Sequence, residues 1–253
     1  MIGLIRSELR KLFTTQVWFW LLIGTLALTA LGIVATILSD GAEGNTNPRL
    51  STVAGRRNLF AGSSSGLIFV CVLGILAMTA EYRHLTVTPT FLATPRRNLV
   101  IVAKLITYTL VGLLYAVLSA LLVVAIAVPW LSAKNIDVSL TDNRIPLVLL
   151  ASVAVVAIYG IVGVGVGALI RNQIAAVSVT LVYLFILQNL LSVIPGVKHA
   201  YKFLPGGASN ALTQVTQNNT DLLEPWQGGL LLAAYGVAFA VLASWLTVRR
   251  DVS

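Results

Sequence analysis

Charged residues are scarce in this 253-residue chain, at 10% of the sequence, whereas hydrophobic residues make up 57%. A soluble domain has about a quarter of its residues charged, so a soluble globule is disfavoured before any motif is considered. Six apolar runs are long enough for helices of about 20 residues, the length that crosses the hydrocarbon core of a bilayer. The composition predicts an all-α polytopic membrane protein, with residues 1–253 forming a single transmembrane domain.

Residues suited to metal and redox chemistry are also few. The only cysteine, Cys71, lies inside an apolar run, which excludes a disulfide framework and favours a small packing residue. The two histidines, His84 and His199, are placed on opposite sides of the membrane by the six-span topology and cannot share a metal ion. The sequence predicts no metal site and no cofactor bound by this chain.

Motifs for catalysis and nucleotide binding are missing as well. The chain has no H-E-x-x-H and no G-x-x-x-x-G-K-[ST] loop, so any ATP hydrolysis is expected on a partner chain. Gly163, Gly165 and Gly167 resemble the start of a dinucleotide fingerprint, but they lie in an apolar span without a preceding strand. Gly163 and Gly167 instead predict a close contact between two helices. The net charge of +8 includes no basic stripe interleaved with aromatic residues, so no nucleic acid partner is expected.

The apolar runs set the predicted organisation of the chain. Residues 1–16 have an apolar stripe with basic flanks, which favours an interfacial amphipathic helix over a solvated flank of the first span. Residues 39–60 are predicted to form an exposed loop, and 197–228 an outer segment of short helices on the membrane surface. The predicted transmembrane spans are 17–38, 61–80, 105–131, 146–170, 174–194 and 229–248.

The distribution of basic residues predicts the orientation. Ten Lys and Arg residues fall on the side of the two termini and seven on the other side. Because cytoplasmic loops carry the excess of Lys and Arg, both termini are predicted to be cytoplasmic. The polar segment 81–104, between the second and third spans, then lies in the cytoplasm too.

Polar groups inside the predicted spans are hydroxyls and amides. The predicted span interiors hold no ionisable residue, which counts against a secondary transporter, because such proteins use one to bind the coupling ion. Gln188 and Asn189 are costly to leave facing lipid. Together with Tyr183 and Tyr159 they are candidates for a substrate path, although hydrogen bonding between helices is the favoured role.

Segment 81–104 stands out from the rest of the chain. Thr88 and Pro89 can start a helix, and Pro95 would stop it again, which leaves about two turns, too few for a stable isolated helix. Phe91 and Leu92 lie within these turns, so a partner protein or the membrane surface must hold them. A plain connecting loop with snorkelling basic residues is the alternative.

The order of elements resembles the membrane subunit of a type-2 ATP-binding-cassette (ABC) exporter. The shared pattern has an interfacial N-terminal helix, six spans, a long cytoplasmic loop between the second and third spans, and an outer segment before the last span. The local sequence is similar as well, in residues 86–97 with Phe91-Leu-Ala-Thr-Pro-Arg-Arg97 after Glu81, and in Gly167-Ala-Leu-Ile-Arg-Asn172. With neither a fused nucleotide domain nor a large extracellular domain, the chain resembles the small bacterial half-transporter type.

The resemblance implies a permease subunit in the cytoplasmic membrane of a bacterium. It implies a homodimer or heterodimer with a similar permease, driven by a cytoplasmic ABC ATPase that binds ATP and Mg²⁺. Segment 81–104 would carry the coupling helix that docks on this ATPase. The cargo expected from an apolar route is a lipophilic drug, peptide or lipid, as in multidrug efflux. The alternative is a non-transporting polytopic scaffold or assembly factor. The expected ATPase-coupling residues are Glu81, Arg83, Phe91, Leu92, Arg96 and Arg97.

Overall fold

The computed structural model describes residues 1–43, 45, 47–84, 97–136, 144–194, 198–215 and 222–249. Its described residues form helices and connecting turns, without a strand. In chain order the elements are α1 (Ile2–Thr14), α2 (Val17–Leu38), α3 (Val53–Ala61), a 3-10 turn (Gly62–Gly66), α4 (Leu67–Arg83), α5 (Arg97–Ala133), α6 (Ile145–Leu169), α7 (Gln173–Val182), a π-helical turn (Tyr183–Leu187), α8 (Gln188–Val193), α9 (Lys198–Tyr201), α10 (Pro205–Leu212) and α11 (Pro225–Arg249).

Six helical stretches are long and apolar enough to cross a membrane. The prediction of an all-helical protein with six such helices is therefore confirmed. Some of them join several elements, since the second runs from α3 through the 3-10 turn into α4. The six are Val17–Leu38, Val53–Arg83, Asn98–Ala133, Ile145–Leu169, Gln173–Ser192 and Pro225–Trp245.

The second stretch begins earlier than the hydropathy pattern predicts. Residues 53–60, expected in an exposed loop, form most of α3, whose first turn is capped by the Thr52 hydroxyl accepting a hydrogen bond from the Gly55 amide at 3.1 Å. Leu59 and Phe60 are buried against Ile33 of α2 and Val148 of α6. The polar residues around them lowered the local hydropathy, but a capped helix with one apolar face does not need an apolar run.

The 3-10 turn has the sequence Gly62-Ser-Ser-Ser-Gly66, which also fits the G-x-S-x-G pattern of hydrolases. That pattern needs a sharp strand-to-helix turn that exposes the central serine. Here the turn lies inside a continuous helical stretch, and the Ser64 hydroxyl donates to the Ala61 carbonyl at 2.8 Å. A Cβ at Gly66 would meet the Thr25 side chain of α2. The small residues therefore serve packing against α2.

The third stretch is longer than its apolar run. The hydropathy pattern starts it at residue 105, whereas α5 begins at Arg97 and includes Lys104. Glu81 and Lys104, which border the predicted spans, both lie in long apolar helices and are buried. A helix continues as long as its backbone hydrogen bonds do, and a charged residue inside it is tolerated when neighbouring helices supply partners.

The bundle is tightest where α4 crosses α6. A Cβ at Gly74 of α4 would lie 2.6 Å from the Gly160 carbonyl oxygen, and one at Gly163 would overlap the Cys71 backbone. A Cβ at Gly167 would lie 2.9 Å from the Ile75 carbonyl oxygen. The predicted close contact at Gly163 and Gly167 is confirmed. Without side chains at these positions the two backbones approach closely enough for extensive van der Waals contact.

Candidate functional site

Four charged side chains from distant parts of the chain meet at one end of the bundle. The Nζ atom of Lys104 lies 2.7 Å from Glu8 Oε2 and 2.8 Å from Glu81 Oε1. The Nζ atom of Lys11 lies 2.7 Å from Glu8 Oε1 and 2.8 Å from Glu81 Oε1. Each lysine thus contacts both carboxylates. We call these four residues the ionic cluster.

Three of the four side chains of the ionic cluster are buried. The side chains of Lys104, Glu8 and Glu81 are 1%, 4% and 8% exposed, while that of Lys11 is 46% exposed. Removing a charge from water costs several kcal/mol per ion unless close pairing and hydrogen bonds offset the loss. Two lysines and two glutamates balance in formal charge, so the cluster provides this pairing internally.

Hydrogen bonds complete the ionic cluster. An ammonium group has three N–H donors, and that of Lys104 has acceptors on Glu8 and Glu81 and on the Ala77 carbonyl, the last at 3.1 Å. Burial lowers the pKa of Lys11, but its hydrogen bonds to Glu8 and Glu81 and their negative charges outweigh this, so its pKa is raised above the ordinary value. Lys11 is therefore held as a cation by its neighbours.

The ionic cluster joins α1 to the two helices that flank the candidate coupling segment. Glu8 and Lys11 come from α1, Glu81 from the last turn of α4, and Lys104 from the first turns of α5. The chain between α4 and α5 includes residues 85–96, which lie outside the described residues. The cluster therefore fastens both helices next to this segment to each other and to the N-terminal helix.

Local sequence explains why charged groups face inward here. Ile5, Glu8 and Leu12 are spaced by three and four residues, so Glu8 lies in the apolar stripe of α1. Leu12 packs in one cluster with Tyr108 of α5. Although Glu8 is charged, it is only 3% exposed. The apolar stripe brings the carboxylate to α5, and Lys104 provides its partner.

Aromatic residues fix the junction between α1 and α2. The rings of Phe13 and Trp18 meet edge to face with centroids 5.0 Å apart. The Tyr115 hydroxyl of α5 donates to the Trp18 carbonyl, so the start of α2 is held against α5 as well. These contacts limit how far α1 can move without α5.

A cavity of about 510 Å³ adjoins the ionic cluster, which contributes all four residues to its wall. Such a volume lies within the usual range for ligand pockets. One part of its wall is apolar, with Leu12, Leu73 and Leu76, and the rest carries Arg83 and His84, both exposed. The end of the bundle that holds the cluster thus also has room for a small ligand or a ligand headgroup.

The expected ATPase-coupling residues have different positions. Glu81 belongs to the ionic cluster and Arg83 is exposed on the cavity wall. Arg97 begins α5, while Phe91, Leu92 and Arg96 lie outside the described residues. The Glu81 carboxylate pairs with Lys104 of the helix that follows the segment.

Three of the four candidates for a substrate path lie near α10. Tyr159 is 2% exposed and packs in one apolar cluster with Tyr183 and Ala208 of α10. The side-chain amide of Gln188 packs on Gly206 of the same helix, where a Cβ would overlap it. Asn189 is exposed and donates to the Phe185 carbonyl at 2.8 Å. Adjacent in sequence, Gln188 and Asn189 have different surroundings.

Sequence reasoning missed Glu8, Lys11 and Lys104 as candidate site residues. The signal was present for two of them, because Glu8 interrupts the apolar stripe of α1 and Lys104 interrupts the stripe Ile101, Leu105 and Tyr108 of α5. A lone charge inside an apolar stripe predicts a buried partner of opposite sign. Lys11 does not interrupt an apolar stripe, so the sequence gives no such signal for it, and its side chain is half-exposed.

The chain matches no protein-family model and no curated protein. The case for a function therefore depends on the six long apolar helices, the ionic cluster and the segment between α4 and α5.

Proposed function

We propose that this chain is the transmembrane permease subunit of an ATP-driven exporter of the type-2 ABC class. In this proposal a separate cytoplasmic ATPase binds ATP and Mg²⁺, and two permease chains form the pathway for a lipophilic drug, peptide or lipid. The ionic cluster is the observation that carries the proposal. It ties α1 to both helices that flank segment 85–96, where the docking residues Phe91 and Leu92 are expected.

The ionic cluster supports a mechanical role for this end of the bundle. When the ATPase closes on ATP, it displaces the segment between α4 and α5. Lys104 is bonded both to Glu81 and to Glu8, so the end of α4, the start of α5 and α1 move as one body. A link made of buried charges resists separation because each unpaired ion would bear the full cost of its burial.

The glycine contact supports transfer of that movement into the bundle. Gly74 of α4 lies against Gly160 of α6, and Gly167 lies against the Ile75 carbonyl of α4. A contact between backbones has no flexible side chains that could absorb a displacement. A shift of α4 therefore displaces α6, and the access of a pathway between two such bundles changes.

Co-purification tests the docking half of the proposal. A cassette ATPase should purify with the wild-type chain in mild detergent and should be lost from Phe91→Asp, because the charge removes an apolar docking contact. Phe203→Asp is the matched control, since Phe203 is 53% exposed in the segment between the fifth and sixth stretches. The ATPase should remain bound to this control. Absence of any cassette ATPase from the wild-type complex would reject the proposal.

ATP turnover tests the coupling half. Glu8→Gln keeps the size of the side chain but removes its charge from Lys104 and Lys11. The variant should still bind the ATPase, and the stimulation of ATP turnover by lipophilic compounds in proteoliposomes should fall severalfold. An ATPase that binds but whose turnover the chain never alters would favour a scaffold or assembly factor instead.

A further inference from the structure

The wall of the cavity beside the ionic cluster has an apolar part and a polar part. Leu12 of α1, Val17 at the start of α2 and Leu73 and Leu76 of α4 supply the apolar part. Lys11, Arg83 and His84 supply a polar rim, together with Gln173. A ligand that matches both parts is an amphiphile, with a polar head at the rim and an apolar chain against the leucines.

The charge of the rim selects the sign of the head. Glu8 and Glu81 are each bonded to both lysines, so their negative charge is already neutralised within the wall. Arg83 adds a positive charge and is exposed. Lys11 adds no net charge beyond the cluster, but it is 46% exposed and donates to two carboxylates, which leaves one N–H of its ammonium for a ligand. The rim therefore favours an anion.

The positive character extends beyond the cavity. A second concave surface, on α1 alone, is lined by Arg6, Arg10 and Lys11 with the hydroxyls of Ser7 and Thr14. Lys11 belongs to both surfaces, so the two are continuous. Basic side chains near a membrane surface each contribute about 1 kcal/mol to attraction of anionic lipids.

We propose that the cavity binds the headgroup of an anionic phospholipid. Lys11 and Arg83 hold the phosphate, and the first carbons of an acyl chain lie against Leu12, Leu73 and Leu76. The opening at Val17, which is 43% exposed, lets the rest of the chain continue along the outside of the bundle. The bound lipid bridges α1 and the end of α4, and so reinforces the ionic cluster. This inference needs a membrane protein but does not depend on an ATPase partner.

Lipid titration tests the proposal. Short-chain phosphatidylglycerol, added to the purified protein in detergent, should raise the melting temperature in a saturable way. Phosphatidylcholine with the same chains should do so only weakly. Arg83→Gln should weaken the apparent affinity for phosphatidylglycerol about fivefold, as expected for one basic contact. Arg171→Gln is the control, because Arg171 stacks over the Tyr82 ring at 5.1 Å and is not part of the cavity wall.

A second variant separates lipid binding from folding. Ala80 lines the cavity and is partly exposed, so Ala80→Trp should fill the space and abolish the stabilisation by phosphatidylglycerol while the lipid-free melting temperature is retained. Equal stabilisation by phosphatidylcholine, or unchanged phosphatidylglycerol affinity in both Arg83→Gln and Ala80→Trp, would overturn the proposal. Stabilisation by inorganic phosphate alone, to the same extent, would assign the rim to a free anion and also overturn it.

Discussion

Lys104 of α5 is the most deeply buried member of the ionic cluster, and its side chain contacts two other helices. Its ammonium is bonded to Glu8 of α1 and to Glu81 and the Ala77 carbonyl of α4. A lysine at this depth is a tie between helices and cannot extend to the aqueous surface, as a snorkelling residue does. Its loss leaves two buried carboxylates that share only one remaining cation.

Replacing Lys104 should therefore destabilise the protein far more than replacing Lys11. Lys104→Met keeps the length of the side chain but removes the charge, and we expect a loss of about 3–5 kcal/mol, as for other broken buried ion pairs. Lys11→Met is the matched control, because Lys11 contacts the same carboxylates but is half-exposed. Thermal unfolding of both variants in one detergent measures the difference. Equal melting temperatures would mean that the cluster is not buried as described.

At the residue scale, the sequence predicted the character of single residues better than their contacts with other helices. It indicated that Cys71 is a small packing residue, and Cys71 is buried. It could not pair Glu81 with Lys104, because hydropathy and spacing do not specify which helices are neighbours. Lys104, the buried partner of Glu8, is 96 residues away in the chain, and only the packing of α1 on α5 brings the two together.

At the scale of elements, the contact between α4 and α6 depends on positions that lack side chains. In a membrane, where lipid is as apolar as the helices, close backbone packing is a main source of helix association. Gly74, Gly160, Gly163 and Gly167 together form this contact. A side chain at Gly74, Gly163 or Gly167 must displace backbone atoms of the opposite helix, and one at Gly160 would meet the Tyr108 backbone of α5.

Gly163→Ala should destabilise the bundle by about 1–3 kcal/mol, the usual cost of an overpacked site. The added methyl group would overlap the Cys71 backbone of α4. Gly32→Ala in α2 is the control, because a Cβ there meets no atom within 4 Å. Its melting temperature should be unchanged or slightly higher, since alanine favours a helix over glycine. A Gly163→Ala protein as stable as the control would contradict the close contact.

Element boundaries were the weaker part of the sequence prediction. Apolar runs located all six long helices, because each crossing needs about 20 apolar residues. They missed α3 and the first turns of α5, where capping and tertiary contacts maintain the helix despite polar residues. The short helices α9 and α10 could be expected from the apolar residues of 197–228, but not their contact with Gln188.

At the scale of the whole molecule, the orientation in the membrane is a prediction from the count of basic residues. With that orientation, the ionic cluster and the cavity would lie at the cytoplasmic end. Wild-type protein should resist a membrane-impermeant maleimide, because its only cysteine, Cys71, is 1% exposed. Single cysteines at exposed serines should then report the side on which each segment lies.

Ser51→Cys should react in intact cells, and Ser7→Cys only after the membrane is permeabilised. Both serines are exposed. Ser51 precedes α3 and Ser7 lies in α1, so the two fall on opposite sides of the predicted topology. The two substitutions are close in size to the native residue, so each variant serves as the control of the other. Labelling of Ser7→Cys in intact cells would reverse the orientation and move the lipid cavity to the outer leaflet.

The π-helical turn at Tyr183–Leu187 sets the rotation of α8 relative to α7 in the fifth stretch. A π turn holds one residue more than an α turn, and each residue in an α-helix advances the side chain by about 100°. If the extra residue were released, α8 would rotate by that angle relative to α7, and Gln188 would leave Gly206 of α10. Asn189, now exposed, would approach that position instead. A one-residue register change could thus detach α10 from the fifth stretch without unfolding either helix.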